Sequence, residues 1–297
     1  MLDGDYVRAE LIINRSIEAG PSAPLSWAAR GALYYTAFLD LKRDSLIPLL
    51  EHSLEKSFEF SLRQRNSREG LFSTALSYGL KAMYYSQEKY WWRALQSGLR
   101  SYRSYQRLIH YFPDCFDAYA GLGNFHYWTS RYQWLPGITD TRNLGIQELK
   151  MAIERGEYLN SLAAYNLVWI YYVEGDYLQG LGLTEKILKE HPKNRLFMRA
   201  QGDIYFRMEN FNEAQIVYEN LIKLFEADQT IDYLQVRLKL AQIYYQRMNF
   251  IAARETCQSI IQTPLSTQLQ KKLERELSDT RRLIQLIQEE RPLEDRK

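Results

Sequence analysis

Cysteine, proline and glycine are all scarce in this sequence. Its 297 residues include 2 Cys, 8 Pro and 15 Gly, which leaves little material for a disulfide framework or for long turn-rich loops. Cys115 and Cys257 lie in distant segments, whereas a disulfide needs Cα atoms within about 7 Å of each other. We therefore expect two free, buried thiols without a redox or metal role, in a chain built mostly from long helices.

Long apolar runs are also missing. The longest strongly apolar stretch is Leu167 to Val173, far short of the roughly 18 to 20 residues that span a bilayer. The first twenty residues carry Asp3, Asp5, Arg8 and Glu10, so they lack the basic start and the uninterrupted apolar stretch of a signal peptide. We predict no transmembrane segment and a soluble chain of the cytoplasm or the periplasm.

The sequence has no large excess of charge of either sign. Lys and Arg total 38 and Asp and Glu total 36, which gives a net charge of +2. A chain so close to neutral has no general attraction for nucleic acid or for anionic lipid. We expect no nucleic-acid partner, and any charged partner would require a local patch.

Motifs that carry catalysis are absent as well. The four histidines, at positions 52, 110, 126 and 191, show no spacing typical of metal ligands. There is no phosphate-binding loop, dinucleotide fingerprint, nucleophile elbow or kinase signature. We therefore predict a protein that is not an enzyme, with no catalytic residue, no metal and no cofactor.

What the sequence does contain is a repeat of about 34 residues. Residues 161–194 and 195–228 align in phase, and 234–265 follow after a short insertion. In the second copy Gly202 and Tyr205 stand in a first helix, and Ala214 and Tyr218 stand at helical spacing in a second. The small residues allow two helices to approach closely, and the rings fill the space around that contact.

These residues resemble the tetratricopeptide repeat (TPR) family, in its bacterial type. The resemblance implies an all-α, right-handed α–α superhelix of about six helical hairpins, forming one solenoid domain over residues 1–297 with a capping helix at 266–290. An unrelated antiparallel helical bundle is the structural alternative. Because the chain opens on the second helix of a repeat without its first, we also expect that a preceding segment or leader is missing.

In TPR arrays the first helices line a concave groove, and side chains at fixed offsets from the small contact residue face it. Aromatic and Arg side chains at such positions are typical of binding hot spots. The resemblance thus implies a scaffold or adaptor that binds a protein or peptide partner, although the same rings are also explained by packing between helices. The predicted groove residues are Tyr84, Asn124, Tyr127, Trp128, Tyr165, Asn166, Trp169, Tyr172, Arg199, Phe206 and Arg207.

Some TPR proteins hold the C-terminal carboxylate of a partner with two Asn and several basic residues. Asn124 and Asn166 match those two Asn, but Ala120 replaces the first Lys and the later basic pair is out of phase. The clamp is therefore broken, and an adaptor of that kind requires Arg199 to substitute.

An insertion, Ser130 to Arg142, interrupts one hairpin. Tyr132, Trp134 and Leu135 are too apolar for a solvated loop, so we expect them to fold back as a structural plug or as a lid that contacts a ligand. The alternative function is a carrier of an apolar small molecule or lipid beneath this insertion. A structural role through self-association is a third, since the sequence leaves partner, pathway and oligomeric state open.

Overall fold

The computed structural model describes residues 4–131, 139–225 and 230–290, and it divides the chain into two compact units, Met1–Asp176 and Tyr177–Lys297. Over the described ranges the regular structure is helical and contains no strand, which confirms the predicted all-α class. That the whole chain forms one domain stays a prediction from the sequence.

The first unit consists of helices joined by short connections. They are α1 (Tyr6–Ala19), α2 (Pro24–Leu41), α3 (Leu46–Arg63), α4 (Arg68–Gln87), α5 (Trp91–Tyr111), α6 (Ala118–Ser130), α7 (Arg142–Arg155) and α8 (Asn160–Glu174).

The second unit continues the same pattern and adds a cap. Its helices are α9 (Tyr177–Glu190), α10 (Arg195–Arg207), α11 (Phe211–Ile222), α12 (Thr230–Gln246), α13 (Phe250–Gln262), α14 (Thr267–Lys272) and α15 (Glu274–Glu289).

The helix ends follow from local side-chain chemistry. Ser67 caps α4 by accepting a hydrogen bond from the Gly70 backbone N–H at 3.0 Å, and Asn194 caps α10 by accepting one from Phe197 at 3.1 Å. Gly175 ends α8 with φ of 82°, a left-handed conformation that glycine adopts without a steric penalty. The chain therefore turns at Gly175.

Small residues set the close contacts between paired helices. A Cβ atom added to Gly31 would lie 2.7 Å from Cδ2 of Leu54, so α2 and α3 meet at this glycine. Leu33 and Leu50 are each 1% exposed and fill the core beside it. Cys115 and Cys257 are buried and free, as predicted.

The cap differs from the single long helix expected at the C-terminal end. It consists of α14 and α15, and Leu273 between them is fully buried. Leu273 belongs to a core cluster with Cys257 and Ile260 of α13 and Ile287 of α15. At Leu273 the backbone departs from helical geometry, with φ of −101° and ψ of 11°, and this departure separates α14 from α15.

Candidate functional site

Helix α8 carries a row of aromatic side chains opposite its buried face. Ala163, Ala164, Leu167, Val168, Ile170 and Tyr171 are buried, while Tyr165, Trp169 and Tyr172 remain half-buried. The ring of Trp169 meets those of Tyr165 and Tyr172 edge to face, at centroid distances of 6.2 and 5.4 Å. Spacings of four and three residues bring the three rings to one side of the helix. We call these three residues the α8 aromatic row.

The row approaches a helix that is distant in sequence. Tyr35 of α2 is 2% exposed. Its burial raises the pKa of the Tyr35 phenol, and the nearby Tyr165 raises this pKa further. The side chains of Tyr35 on α2 and Tyr165 on α8 therefore lie near enough for their charges to interact.

Two of the predicted groove residues are buried in the first unit. Tyr127 has no exposed surface and donates a hydrogen bond from its hydroxyl to Glu174 Oε1 at 2.6 Å. Tyr84 is 9% exposed and contacts Phe38 at a centroid distance of 5.9 Å. Burial raises the pKa of each phenol to about 12. These rings pack between helices and offer a partner little or no surface.

The other predicted positions on α6 and α8 are more accessible. Trp128 is 39% exposed, with the Arg131 guanidinium 6.0 Å from its ring centroid. Asn124 and Asn166 are half-buried. Oδ1 of Asn124 is buried and has no hydrogen-bond partner among the described residues. Asn166 thus lies on α8 with the α8 aromatic row, and Asn124 and Trp128 lie on α6.

The base of the insertion is held by hydrogen bonds. Ser130 Oγ donates to the His126 carbonyl at 2.6 Å and accepts from the Thr141 backbone N–H at 2.8 Å. Thr141 Oγ1 donates to the same carbonyl at 3.1 Å. The two ends of the insertion are therefore fixed side by side. The predicted loop residues Tyr132, Trp134 and Leu135 lie outside the described residues.

An ionic contact links this base to α8. Arg142 forms a bidentate pair with Asp140, through Nε and Nη2 at distances of 3.0 and 2.7 Å. Nη1 of Arg142 lies 3.6 Å from Glu174 Oε2. The hydrogen bonds from Arg142 lower the pKa of the Asp140 carboxyl to about 2. Glu174 therefore contacts both Arg142 and the Tyr127 hydroxyl.

The remaining predicted groove residues belong to the second unit. Arg199 donates to Asp232 Oδ1 at 2.6 Å and to Gln235 Oε1 at 3.1 Å, so it links α10 to α12. Phe206 is half-buried, with Lys239 Nζ 4.3 Å from its ring centroid, and Arg207 is exposed. Arg199 thus already pairs with a carboxylate of its own chain, and its part in a carboxylate clamp stays a prediction.

Sequence reasoning missed one polar cluster between α5, α6 and α7. His126 Nδ1 lies 2.6 Å from Glu148 Oε2, and His126 Nε2 lies 3.3 Å from the Tyr102 hydroxyl. Tyr102 stacks on Phe125 at a centroid distance of 4.2 Å. Glu148 is 7% exposed, yet its sequence context resembles that of any surface carboxylate. The usable signal was His126, which stands where the repeat normally has a tyrosine.

Among known proteins, similarity to this chain was found only in solved structures. No protein-family model matches the sequence, and no curated protein matches it. A tetratricopeptide repeat protein from Parabacteroides merdae is 14% identical with a TM-score of 0.44, over 93% of this chain and 98% of that one. PilW, a widely conserved type IV pilus biogenesis factor, is 14% identical with a TM-score of 0.49, over 82% and 98%.

A third similar structure is the human IFIT1 dimer with m7Gppp-AAAA. It is 12% identical with a TM-score of 0.49, over 98% of this chain and 63% of that one. Likeness at these levels says nothing about a partner. The fold is identified from the chain itself, because its helices are paired at the spacing of the sequence repeat. It is a TPR-type helical repeat.

The described helices carry neither a metal cluster nor a membrane-spanning segment. Across residues 4–131, 139–225 and 230–290, no group of three or more His, Cys, Asp or Glu side chains is placed to hold a metal ion. In the same ranges, every helix is too short or too polar to cross a bilayer. The predicted absence of catalysis and of a cofactor stays a prediction.

Proposed function

We propose that this chain is a non-catalytic scaffold that binds a protein or peptide segment on the α8 aromatic row and Trp128. The observation that carries the proposal is the half-burial of Tyr165, Trp169 and Tyr172 in mutual edge-to-face contact. These rings are held in place by one another and still present apolar surface. A rigid aromatic surface binds at low cost in conformational entropy.

The chemistry of this face favours an extended apolar or aromatic segment over a charged tail. Arg142 lies beside Glu174 and Asp140, so its charge is already neutralised. Asn124 and Asn166 supply amide groups that suit the backbone of a bound peptide. The absence of a nucleic-acid partner stays a prediction from the near-neutral charge of the chain.

The test uses peptides selected from a displayed random library on the full parent chain. Fluorescence anisotropy then gives the Kd of each peptide for Trp169→Ala/Tyr172→Ala. Truncating a hot-spot side chain costs 2 kcal/mol or more, so we expect the Kd to rise at least about thirtyfold. A thermal melt checks that the variant remains folded.

A matched control removes the same two residue types from another surface. Trp91 is 62% exposed and Tyr111 is 57% exposed, both on α5, so Trp91→Ala/Tyr111→Ala leaves the inner face intact. The Kd of the selected peptides for this control variant should equal their Kd for the parent. Equal Kd values for the parent and Trp169→Ala/Tyr172→Ala would reject the proposal, as would unfolding of that variant, because the rings would then be core.

One observation favours a second candidate, the carrier of an apolar small molecule. The base of the insertion is anchored to the His126 carbonyl of α6, and Tyr35 lies near Tyr165 of the α8 aromatic row. Native mass spectrometry of the purified chain distinguishes the two candidates. A co-purified mass that disappears in Trp169→Ala/Tyr172→Ala supports the carrier, and a ligand-free parent that binds selected peptides supports the scaffold.

A further inference from the structure

Helix α5 has a second face that no part of the described chain covers. Its inner side packs against α4 and α6 through the buried residues Ser97, Ser101, Tyr105 and Leu108. Its outer side presents large apolar side chains, with Trp91 62%, Trp92 69%, Leu95 45% and Leu99 36% exposed. Since these four follow at helical spacing, they form one apolar stripe over the first half of the helix.

Arginines border this stripe. Arg93, Arg100 and Arg107 recur every seven residues, so they lie along one line of the helix beside the apolar stripe. Arg103 continues the stripe itself, four residues after Leu99. All four arginines are exposed, and residues 91–111 contain no Asp or Glu.

These charges are also unbalanced by the rest of the described chain. None of the four arginines pairs with a carboxylate in residues 4–131, 139–225 or 230–290. Arg93 lies over the rings of Tyr85 and Tyr90, at 5.8 and 5.6 Å from their centroids, and Arg107 donates to the Asn66 side chain at 2.7 Å. Although the whole chain carries a net charge of only +2, α5 is therefore a local cationic patch.

We propose that α5 docks the protein on an anionic lipid bilayer surface, lying parallel to the membrane plane. Tryptophan and leucine on one stripe would enter the boundary between headgroups and acyl chains, where the Trp ring is favoured. The neighbouring arginines would reach the lipid phosphates and carboxylates from stems that lie along the apolar surface. The helix is already folded on α4, so docking carries no cost of helix formation.

Other occupants fit the same features less well. A second copy of the chain would bring two cationic helices together, and their like charges would repel. A bound helix or peptide needs a groove with walls on both sides, whereas Trp91 and Trp92 project from the surface with more than 60% exposure. A bilayer is broad, anionic and apolar just below its surface, and it matches a projecting stripe.

The experiment measures binding of the full chain to vesicles by flotation. Vesicles of phosphatidylcholine mixed with phosphatidylserine are compared with vesicles of phosphatidylcholine alone. We expect the parent to bind the mixed vesicles, and to lose this binding as NaCl is raised from about 0.1 M to about 1 M. Trp91→Ala/Trp92→Ala should weaken the partition coefficient at least about tenfold, and Arg100→Glu/Arg107→Glu at least about twentyfold.

Matched variants elsewhere control for apolar loss and for net charge. Leu178→Ala/Ile216→Ala removes side chains that are 74% and 59% exposed, and Lys186→Glu/Lys189→Glu makes the same charge change on exposed positions of α9. Both should bind like the parent. The proposal is overturned if the parent ignores mixed vesicles, if either α5 variant binds them as the parent does, or if the α9 charge variant is weakened equally. It is also overturned if α5 instead captures an acidic protein while the parent leaves vesicles unbound.

Discussion

Gly123 of α6 and Gly145 of α7 face each other so closely that neither position has room for a methyl group. A Cβ atom built on Gly123 would lie 2.5 Å from the Gly145 carbonyl oxygen, and one built on Gly145 would lie 2.6 Å from that of Gly123. Both contacts involve backbone atoms, which cannot rotate away as a flexible side chain can. The two helices cross at this pair, with Gly123 before the insertion in the sequence and Gly145 after it.

Gly145→Ala should therefore destabilise the first unit. The added methyl group meets backbone atoms that cannot move aside, so we expect the cost of overpacking to fall in the upper part of the range of about 1 to 3 kcal/mol. That cost exceeds the roughly 1 kcal/mol that Ala gains over Gly from helix propensity. Gly98→Ala is the control, because its Cβ would meet only Ala82 at 4.0 Å. Urea unfolding should give a lower midpoint for Gly145→Ala and an equal or higher one for Gly98→Ala. A raised midpoint for both would show that the crossing relaxes freely.

Gly202→Ala tests the repeat frame in the second unit. Its Cβ would lie 2.6 Å from the Tyr218 ring, and Tyr218 is fully buried with its hydroxyl bonded to Asp203 at 2.6 Å. The ring has no free space, so we expect the melting temperature to fall. Gly182→Ala, which has nothing within 4 Å of its Cβ, should leave it unchanged or raise it. Identical melting curves for the two variants would contradict the predicted contact.

The sequence predicted the close contact at Gly202, because the 34-residue repeat places this small residue where two helices meet. Gly31, Gly123 and Gly202 all occupy such crossings. Counting along the repeat did not predict Gly145, because the insertion from Ser130 to Arg142 interrupts the spacing between Gly123 and the second helix.

Offsets within a repeat predict which face of a helix a side chain occupies, but they do not predict how tightly successive repeats curl. Tyr127 and Trp128 are adjacent, yet the first is fully buried and the second is 39% exposed. Tyr165 approaches Tyr35, which is 130 positions earlier in the sequence. Such burial depends on packing summed over several repeats, which one repeat does not encode.

The Asp117 carboxylate organises the turn between α7 and α8. It is 4% exposed and accepts hydrogen bonds from the backbone N–H groups of Glu157, Tyr158 and Leu159, at 3.1, 2.8 and 2.7 Å. Asp117→Ala would leave three N–H groups without their acceptor. Hydrogen bonds to a charged group contribute about 1.5 to 3 kcal/mol, so a loss of about 3 kcal/mol in the free energy of unfolding is expected from urea titration.

Two further variants make the Asp117 result specific. Asp117→Asn keeps one acceptor oxygen and should lose less stability than Asp117→Ala. Glu154→Ala removes an exposed carboxylate from the same unit and should change the free energy of unfolding by less than about 0.5 kcal/mol. If Asp117→Asn and Asp117→Ala prove equally mild, the turn does not depend on this carboxylate.

The last prediction concerns alkaline pH and the buried hydrogen bond from Tyr127 to Glu174. Burial and this hydrogen bond raise the pKa of Tyr127 to about 12, from an ordinary value of 10.0. The neutral phenol therefore contributes stability that is fully present below pH 10 and is lost as the pH rises from about 10 to about 12. Tyr127→Phe removes the hydroxyl group, so the variant has neither the ionisable phenol nor the hydrogen bond to Glu174.

Tyr127→Phe should consequently be less stable than the parent at pH 9, by about 1 kcal/mol for the lost hydrogen bond. At pH 11 the difference between the two proteins should shrink by about 1 kcal/mol, because only the parent pays for ionising a buried phenol. Urea titrations of both proteins at the two pH values measure this change. Tyr111→Phe removes a phenol that is 57% exposed, so its stability should track the parent at both. A difference between parent and Tyr127→Phe that stays constant from pH 9 to pH 11 would contradict the raised pKa, since every other titrating tyrosine is common to the two proteins.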